Sequence, residues 1–275
     1  MRNTSTRSSI IPVYNPQTNS LLPRKCNPFI RIPTFNNLLF SITLIAVLQL
    51  PGCYQYCNIV SENPSLTLQE LYQAAILDAV VADSNEICTT LVAITPANSN
   101  LSWRGSGDSS RVLVTTWTKY VSSYPVGDTI ILTWGETWVT VPYEFKKWNA
   151  EFHPNPDSSL RIEQLLGMPP NKGYTHFIEL WIRPGDLFRP SPDCEITDSR
   201  AGLSFPSTAD STFKTWFNGN IIYSYFPPHF PWTRLGYTYD WGNSQSEIGL
   251  SEFVIRRNCS VIVNAVYTTA EYINQ

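Results

Sequence analysis

Charged side chains are scarce in this sequence: they make up 15% of 275 residues, against a usual quarter. That shortage argues against a solvated coiled coil and against a charge-driven disordered tail. It fits a compact protein with many polar, uncharged loops. Histidine is scarcer still, with only His153, His176 and His229. No two of them have the spacing of zinc ligands, and His176, between Thr175 and Phe177 on a predicted strand, reads as structural. The chain holds no Gly-x-Ser-x-Gly elbow, no phosphate loop and no His-Glu-x-x-His pair, so the standard catalytic signatures are missing. It has no repeat at a period of about 20 to 50 residues, which excludes a solenoid or propeller array.

Acids are absent from the N-terminal stretch. The first is Glu62, whereas Arg2, Arg7, Arg24, Lys25 and Arg31 all precede Cys53. Beyond Cys53 the remaining 14 of the 19 bases stand against all 22 acids, with no local basic patch. A body of that sign gives no reason to expect a nucleic-acid partner. Residues 1–37 form a basic leader with Pro12, Pro16, Pro23, Pro28 and Pro33 among many Ser, Thr and Asn, and are predicted to be disordered. Leu38–Leu50 is 13 residues long and uncharged. It is too short to cross a bilayer as a helix, which takes about 20 residues. It suits the apolar core of a secretory signal.

Leu50-Pro51-Gly52-Cys53 resembles a bacterial lipoprotein cleavage box, with Cys53 as the lipid carrier and Pro51 where a small residue is usual. A plain signal peptide cut nearby, or an uncleaved anchor, fits the same residues. The expected organisation is a leader at 1–37, a signal-like segment at 38–52, a linker at 53–64 and one globular domain at 65–275. The expected location is the cell envelope or the outside, with membrane contact only through the N-terminal segment or a lipid. If Cys53 carries lipid, Cys57, Cys88, Cys194 and Cys259 remain, enough for two disulfides in three pairings. Free buried thiols fit equally well.

The clearest helix is predicted at Ser65–Asp83. Thr67-x-x-Glu70 forms a capping box, and Leu68, Leu71, Tyr72, Ala75, Ile76, Ala79 and Val80 follow one apolar face. Strands are predicted at Thr89–Thr95, at Arg111–Thr118, twice within Thr129–Val141, and at Thr175–Ile182. Short helices are expected at Tyr143–Asn149 and Leu160–Leu166, and a helical turn at Thr212–Phe217. Leu250–Ile255 and Ser260–Tyr267 read as a closing antiparallel pair joined by Arg256-Arg257-Asn258. Strands outnumber helices without alternating with them. The fold class is therefore α+β, with an antiparallel or mixed sheet and a few short helices, one amphipathic near the start of the globular part.

Two clusters draw attention. Asp193-x-Glu195-x-x-Asp198 gathers carboxylates but lacks the glycine and the longer ligand series of a calcium loop, so a solvated acidic loop is expected. Phe213 to Trp241 is dense in aromatic rings, which read mostly as core and partly as a platform for sugars or peptides. Pro231–Ile255 adds Arg234, Tyr237, Tyr239, Asp240 and Trp241 on backbone bracketed by Gly236 and Gly242, and then Glu252 at a loop-to-strand edge. Arg234, Tyr237, Tyr239, Asp240 and Trp241 are the candidate ligand-binding residues.

Pro231–Ile255 also resembles the C-terminal signature of a cyanobacterial protein family without an assigned activity. The likeness extends to Arg111–Trp117, Trp138–Pro142, Leu160–Pro170 and Phe177–Pro190. It implies export and relatedness, and no mechanism. A second, local likeness is chemical. Glu252-Phe253-Val254-Ile255, then Asn258 and Val261-Ile262-Val263, is similar to the last catalytic strand of ADP-ribosyltransferase toxins, though Leu250 stands where those proteins carry Glu or Gln. That likeness implies NAD as cofactor, Glu252 as the catalytic acid on the nicotinamide ribose, Arg189 as an NAD-binding arginine, and Tyr237 or Tyr239 stacked on nicotinamide. The first expectation is thus an exported binding or structural protein with an unassigned ligand and no cofactor. The alternative is an NAD-dependent transferase or glycohydrolase using Glu252 and Arg189.

Overall fold

The computed structural model describes residues 66–152 and 158–275. The leader, the signal-like segment, Cys26, Cys53, Cys57, the linker and His153 lie outside the described residues. Those described form a single α+β domain whose strand pairings are all antiparallel.

Helix α1 (Leu68–Ala79) starts at the predicted capping box: Thr67 accepts from the Glu70 amide, and Glu70 reaches back to the Thr67 amide. Its buried side is Tyr72, Ala75, Ile76 and Ala79, while Leu68 and Leu71 face outward. Strands β1 (Trp103–Arg104), β2 (Arg111–Thr118), β3 (Thr129–Ile131), β5 (His176–Ile182) and β10 (Ser260–Thr268) form a five-stranded sheet in the order β1-β2-β5-β10-β3. Strands β4 (Thr137–Val139), β6 (Leu187–Phe188) and β9 (Phe253–Ile255) form a second sheet with β9 in the middle. Strands β7 (Tyr237–Tyr239) and β8 (Ile248–Ser251) make a third pair. A single bridge, Thr115 to Thr140, ties the first sheet to the end of β4.

The predicted hairpin between Leu250–Ile255 and Ser260–Tyr267 does not form. β9 pairs with β4 and β6, and β10 with β5 and β3. The reason is burial on both faces. Phe253 and Ile255 pack into the core beneath the large sheet, while Val254 packs into the cluster under α1 and α4 (Ser211–Tyr225). A strand apolar on both sides belongs in the centre of a sheet. Thr89–Thr95 is extended but joins no ladder; the Leu91 and Ile94 amides donate to the Ser199 and Ile196 carbonyls. Helix α4 runs 15 residues, well past the predicted turn, with Asp210 as its N-cap.

Helices α2 (Pro142–Phe152), α3 (Ser158–Leu165) and α5 (Thr269–Ile273) contribute to a third cluster with Phe145, Trp148, Ile162, Phe177 and Tyr272. Phe177 and Tyr272 stack at 4.3 Å. Full burial of such a ring contributes about 1.5–3 kcal/mol. Cys88, Cys194 and Cys259 are free thiols, so no disulfide occurs among the described residues. No helix among them is long and apolar enough to cross a membrane.

Candidate functional site

Glu252 occupies the one-residue break between β8 and β9. Its amide donates to the Gly236 carbonyl at 2.9 Å. The residue before it is also pinned: the Ser251 amide and hydroxyl both donate to the buried Glu144 carboxylate, at 2.8 and 3.0 Å. The backbone at Glu252 is therefore held from two sides, and its side chain enters a cleft of about 470 Å³.

One wall of the cleft comes from β2 (Thr115–Thr118) and the β4 segment Glu136–Thr140. The opposite wall comes from the C-terminal half of α4, the Phe230–Trp232 segment and β7. The β4–β9 register, Val139 opposite Phe253, sets Thr140 beside Glu252 and places Glu136, Trp138 and Thr140 on one face. Exposed rings, Tyr120, Trp134 and Tyr223, each at least half accessible, stand around the opening. The ionisable groups other than phenols that border the cleft are Glu252, Glu136 and Lys172. Lys172 lies on a turn fixed by the buried Glu163, whose carboxylate accepts the Asn171 and Lys172 amides at 2.9 and 2.6 Å. Its ammonium stands 5.8 Å from the centre of the Phe230 ring.

The Glu252 carboxyl has no hydrogen-bond partner among the described residues, and burial pushes its pKa up to about 8. Its side chain remains partly accessible from the cleft while protein surrounds it. Within the cleft wall Thr140 Oγ1, Asn220 Nδ2 and Trp232 Nε1 are also buried without a protein partner. Unpaired polar atoms on this scale are unusual in a packed interior. The cleft surface itself combines ring faces with the accessible Glu252 carboxyl, which suits a ring-bearing polar ligand.

Of the residues singled out in the sequence, Glu252, Tyr237 and Tyr239 border this cleft. The two tyrosine hydroxyls turn away from it, donating to the Glu86 carbonyl and the Asp78 carboxylate at 2.8 and 2.9 Å. Asp240 and Trp241 border a different hollow of about 390 Å³ beside α1. Asp240 forms a two-pronged ion pair with Arg161 at 2.8 and 2.7 Å, and the Trp241 indole donates to the Met168 carbonyl. Arg234, at φ 59°, lies outside the cleft and closes the C-terminus of α1 by donating to the Val80 and Ala79 carbonyls.

Arg189 does not border the cleft either. Its side chain is 0% exposed, and it donates to the Asp198 carboxylate and to the carbonyls of Val92, Asp198 and Arg200. The predicted acidic loop is explained by the same contact. Asp198 turns to Arg189, and Glu195 accepts the Thr197 and Asp198 amides of its own turn. Sequence reasoning missed Glu136, Trp138, Thr140 and Asn220. The signal available for the first three was their period-two spacing along β4 and its two flanking residues.

Comparison with protein-family models, curated proteins and solved structures gives no match to this chain.

Proposed function

We propose that this is an exported binding protein whose cleft takes a neutral, hydroxyl-rich ring ligand of the carbohydrate class. The observation that carries the reading is the unpartnered Glu252 inside a cleft walled by aromatic rings and threonines. Ring faces stack on the apolar faces of sugars, and the partly accessible Glu252 carboxyl can bond sugar hydroxyls. Two features disfavour an anionic ligand. Lys172 is the one basic residue on the wall, opposed by two carboxyl groups. Helix α4 also presents its C-terminal end, the negative end of its dipole.

The NAD-consuming alternative keeps Glu252 in a cleft, which favours it. It needs cations for a pyrophosphate, and Arg189 is occupied by internal partners. Export rests on the basic leader, the apolar segment at 38–52 and the likeness to an exported family, with Cys53 as the proposed lipid carrier.

The test is binding of soluble neutral oligosaccharides, read by tryptophan fluorescence and thermal shift. Saturable quenching that weakens in Trp138→Ala supports the reading. No response to cello-, malto- or chito-oligosaccharides, together with a response to NAD, would replace it with the alternative. For export, Cys53→Ser should move the protein from membranes to the soluble exported fraction.

A further inference from the structure

We propose that the cleft does more than bind: Glu252 donates a proton to the bridging oxygen of a bound oligosaccharide and so cleaves its glycosidic bond. This rests on the carbohydrate-binding reading above.

The carboxyl groups drawn inside the domain differ in what compensates them. Glu144 accepts two bonds from Ser251, Glu163 accepts two backbone amides, Glu179 accepts the Asn264 amide, and Asp240 is paired with Arg161. Each is a buried acid compensated by protein donors. Glu252 alone among them has none, and it is the one that opens on the cleft. A structural carboxyl without partners would be costly to retain. A carboxyl that must keep its proton and present it to a ligand needs this environment. Rigidity points the same way, since the Gly236 carbonyl and the Glu144–Ser251 contacts fix the backbone on both sides of Glu252.

The step balances with one carboxyl group. The Glu252 proton passes to the glycosidic oxygen as the bond from that oxygen to the anomeric carbon breaks, and the bonding electron pair leaves with the oxygen. A water oxygen then bonds to the anomeric carbon, and one water proton returns to the Glu252 carboxylate. The products are a hemiacetal and an alcohol, and one water is consumed. Glu136 is not the partner in this step. It lies four residues along the strand from Thr140, about 13 Å at the rise of a strand, and serves the rim of the cleft.

Tyr225 at the end of α4 lies within electrostatic reach of Glu252, Glu136 and Lys172 border the same cleft, and the β7 phenols Tyr237 and Tyr239 line it with their hydroxyls bonded elsewhere. Burial raises all three phenols, Tyr225 to about 12, so they stay neutral where Glu252 titrates.

The experiment incubates the full chain with fluorescently labelled cellotetraose, maltotetraose and chitotetraose, and measures binding and chain shortening separately. The expected result is cleavage of at least one of them by the wild type, with a rate that falls as pH rises through about 8. At saturating oligosaccharide, where any change in affinity no longer matters, Glu252→Gln should cleave at least about 100-fold more slowly than wild type. If that variant does not fold, Glu252→Asp, which withdraws the carboxyl by one methylene, should lose at least about tenfold, and the wild-type pH profile stands as an independent reading. Binding without cleavage at any pH overturns the catalytic proposal and leaves the binding reading intact. Cleavage by Glu252→Gln at the wild-type rate also overturns it. No binding of any of the three overturns the carbohydrate reading and this proposal together.

Discussion

The amide of Glu252 donates to the carbonyl of Gly236 at 2.9 Å. Gly236, at φ 78°, is packed so closely on Arg189 that a β-carbon there would lie 2.5 Å from Arg189 Cδ. Arg189 therefore supports the cleft from behind, through a glycine, without touching what enters it. Gly236→Ala should cost about 2–4 kcal/mol, from backbone strain plus overpacking. For a domain of this size that is a fall in Tm of about 4–16 °C. Scanning calorimetry checks it, and a change within about 1 °C would mean that Arg189 yields freely.

Replacement of Arg189 itself should act on folding. Its guanidinium serves one carboxylate and three carbonyls in a planar fork, which a lysine cannot reproduce. Arg189→Lys should destabilise the protein by about 3–5 kcal/mol. Asp198→Asn should cost less, about 1–2 kcal/mol, because Asp198 is half exposed and the carbonyl contacts remain. Urea denaturation of both variants gives the order, and the reverse order would sink this account of the site.

Stability should decline with pH through the neutral range. Glu252 holds its proton to about pH 8 in the folded state, whereas an unfolded chain releases it near the ordinary value of 4.5. Between those values the folded state binds the extra proton, so stability is fullest below about 4.5 and drains as pH rises to about 8. Glu144, raised to about 7 by burial, adds to the slope over a narrower window. Glu252→Gln should flatten the curve by up to about 1.4 kcal/mol per pH unit and be the more stable form at high pH. Urea midpoints at several pH values decide it; identical slopes would place the Glu252 proton loss in the ordinary carboxyl range.

Much of the domain was legible in local pattern. The capping box at Thr67, the runs that became β2 and β5, and the helix stop at Gly167 each depend on neighbours in sequence. What was not legible depends on partners far away. The unbroken apolar run Phe253-Val254-Ile255 is suited to a central strand, but nothing in it names β4 and β6 as the neighbours rather than β10. The candidate site divides the same way. Glu252 and the two β7 tyrosines stood out by composition, but Glu136, Trp138 and Thr140 join them only through cross-strand register. Asp240 stands out as an acid in an aromatic stretch and Arg189 through the likeness to ADP-ribosyltransferases, and the structure uses both in internal ion pairs.

The rim should matter to binding and little to stability. Trp134 is half exposed, with an edge contact to Tyr124 at 5.6 Å. Trp134→Ala should leave Tm within about 2 °C while weakening oligosaccharide binding by about 0.5–1.5 kcal/mol, the range of a lost aromatic contact. Titration followed by intrinsic fluorescence measures it. Undiminished affinity would move the ligand inward, toward Trp138 and Trp232.

Glu163 gives a test of how the cleft is held in shape. Its buried carboxylate accepts two successive backbone amides, and one of them belongs to Lys172 on the cleft wall. Asn171 between them sits at φ 63°, a conformation that the two hydrogen bonds help to hold. Glu163→Gln keeps the volume but turns an NH₂ group toward one of those amides, which costs about 1–3 kcal/mol for a buried donor left without an acceptor. The loosening should be local, because α3 is anchored independently by Ile162 and Leu165. Amide exchange should therefore quicken at 171–173 and stay unchanged in β5. Ligand affinity should fall along with that change, since Lys172 and Tyr174 leave their places on the wall together. Faster exchange with unaltered affinity would show that this wall does not touch the ligand, and would confine the site to the face shared by Trp138, Thr140 and Glu252.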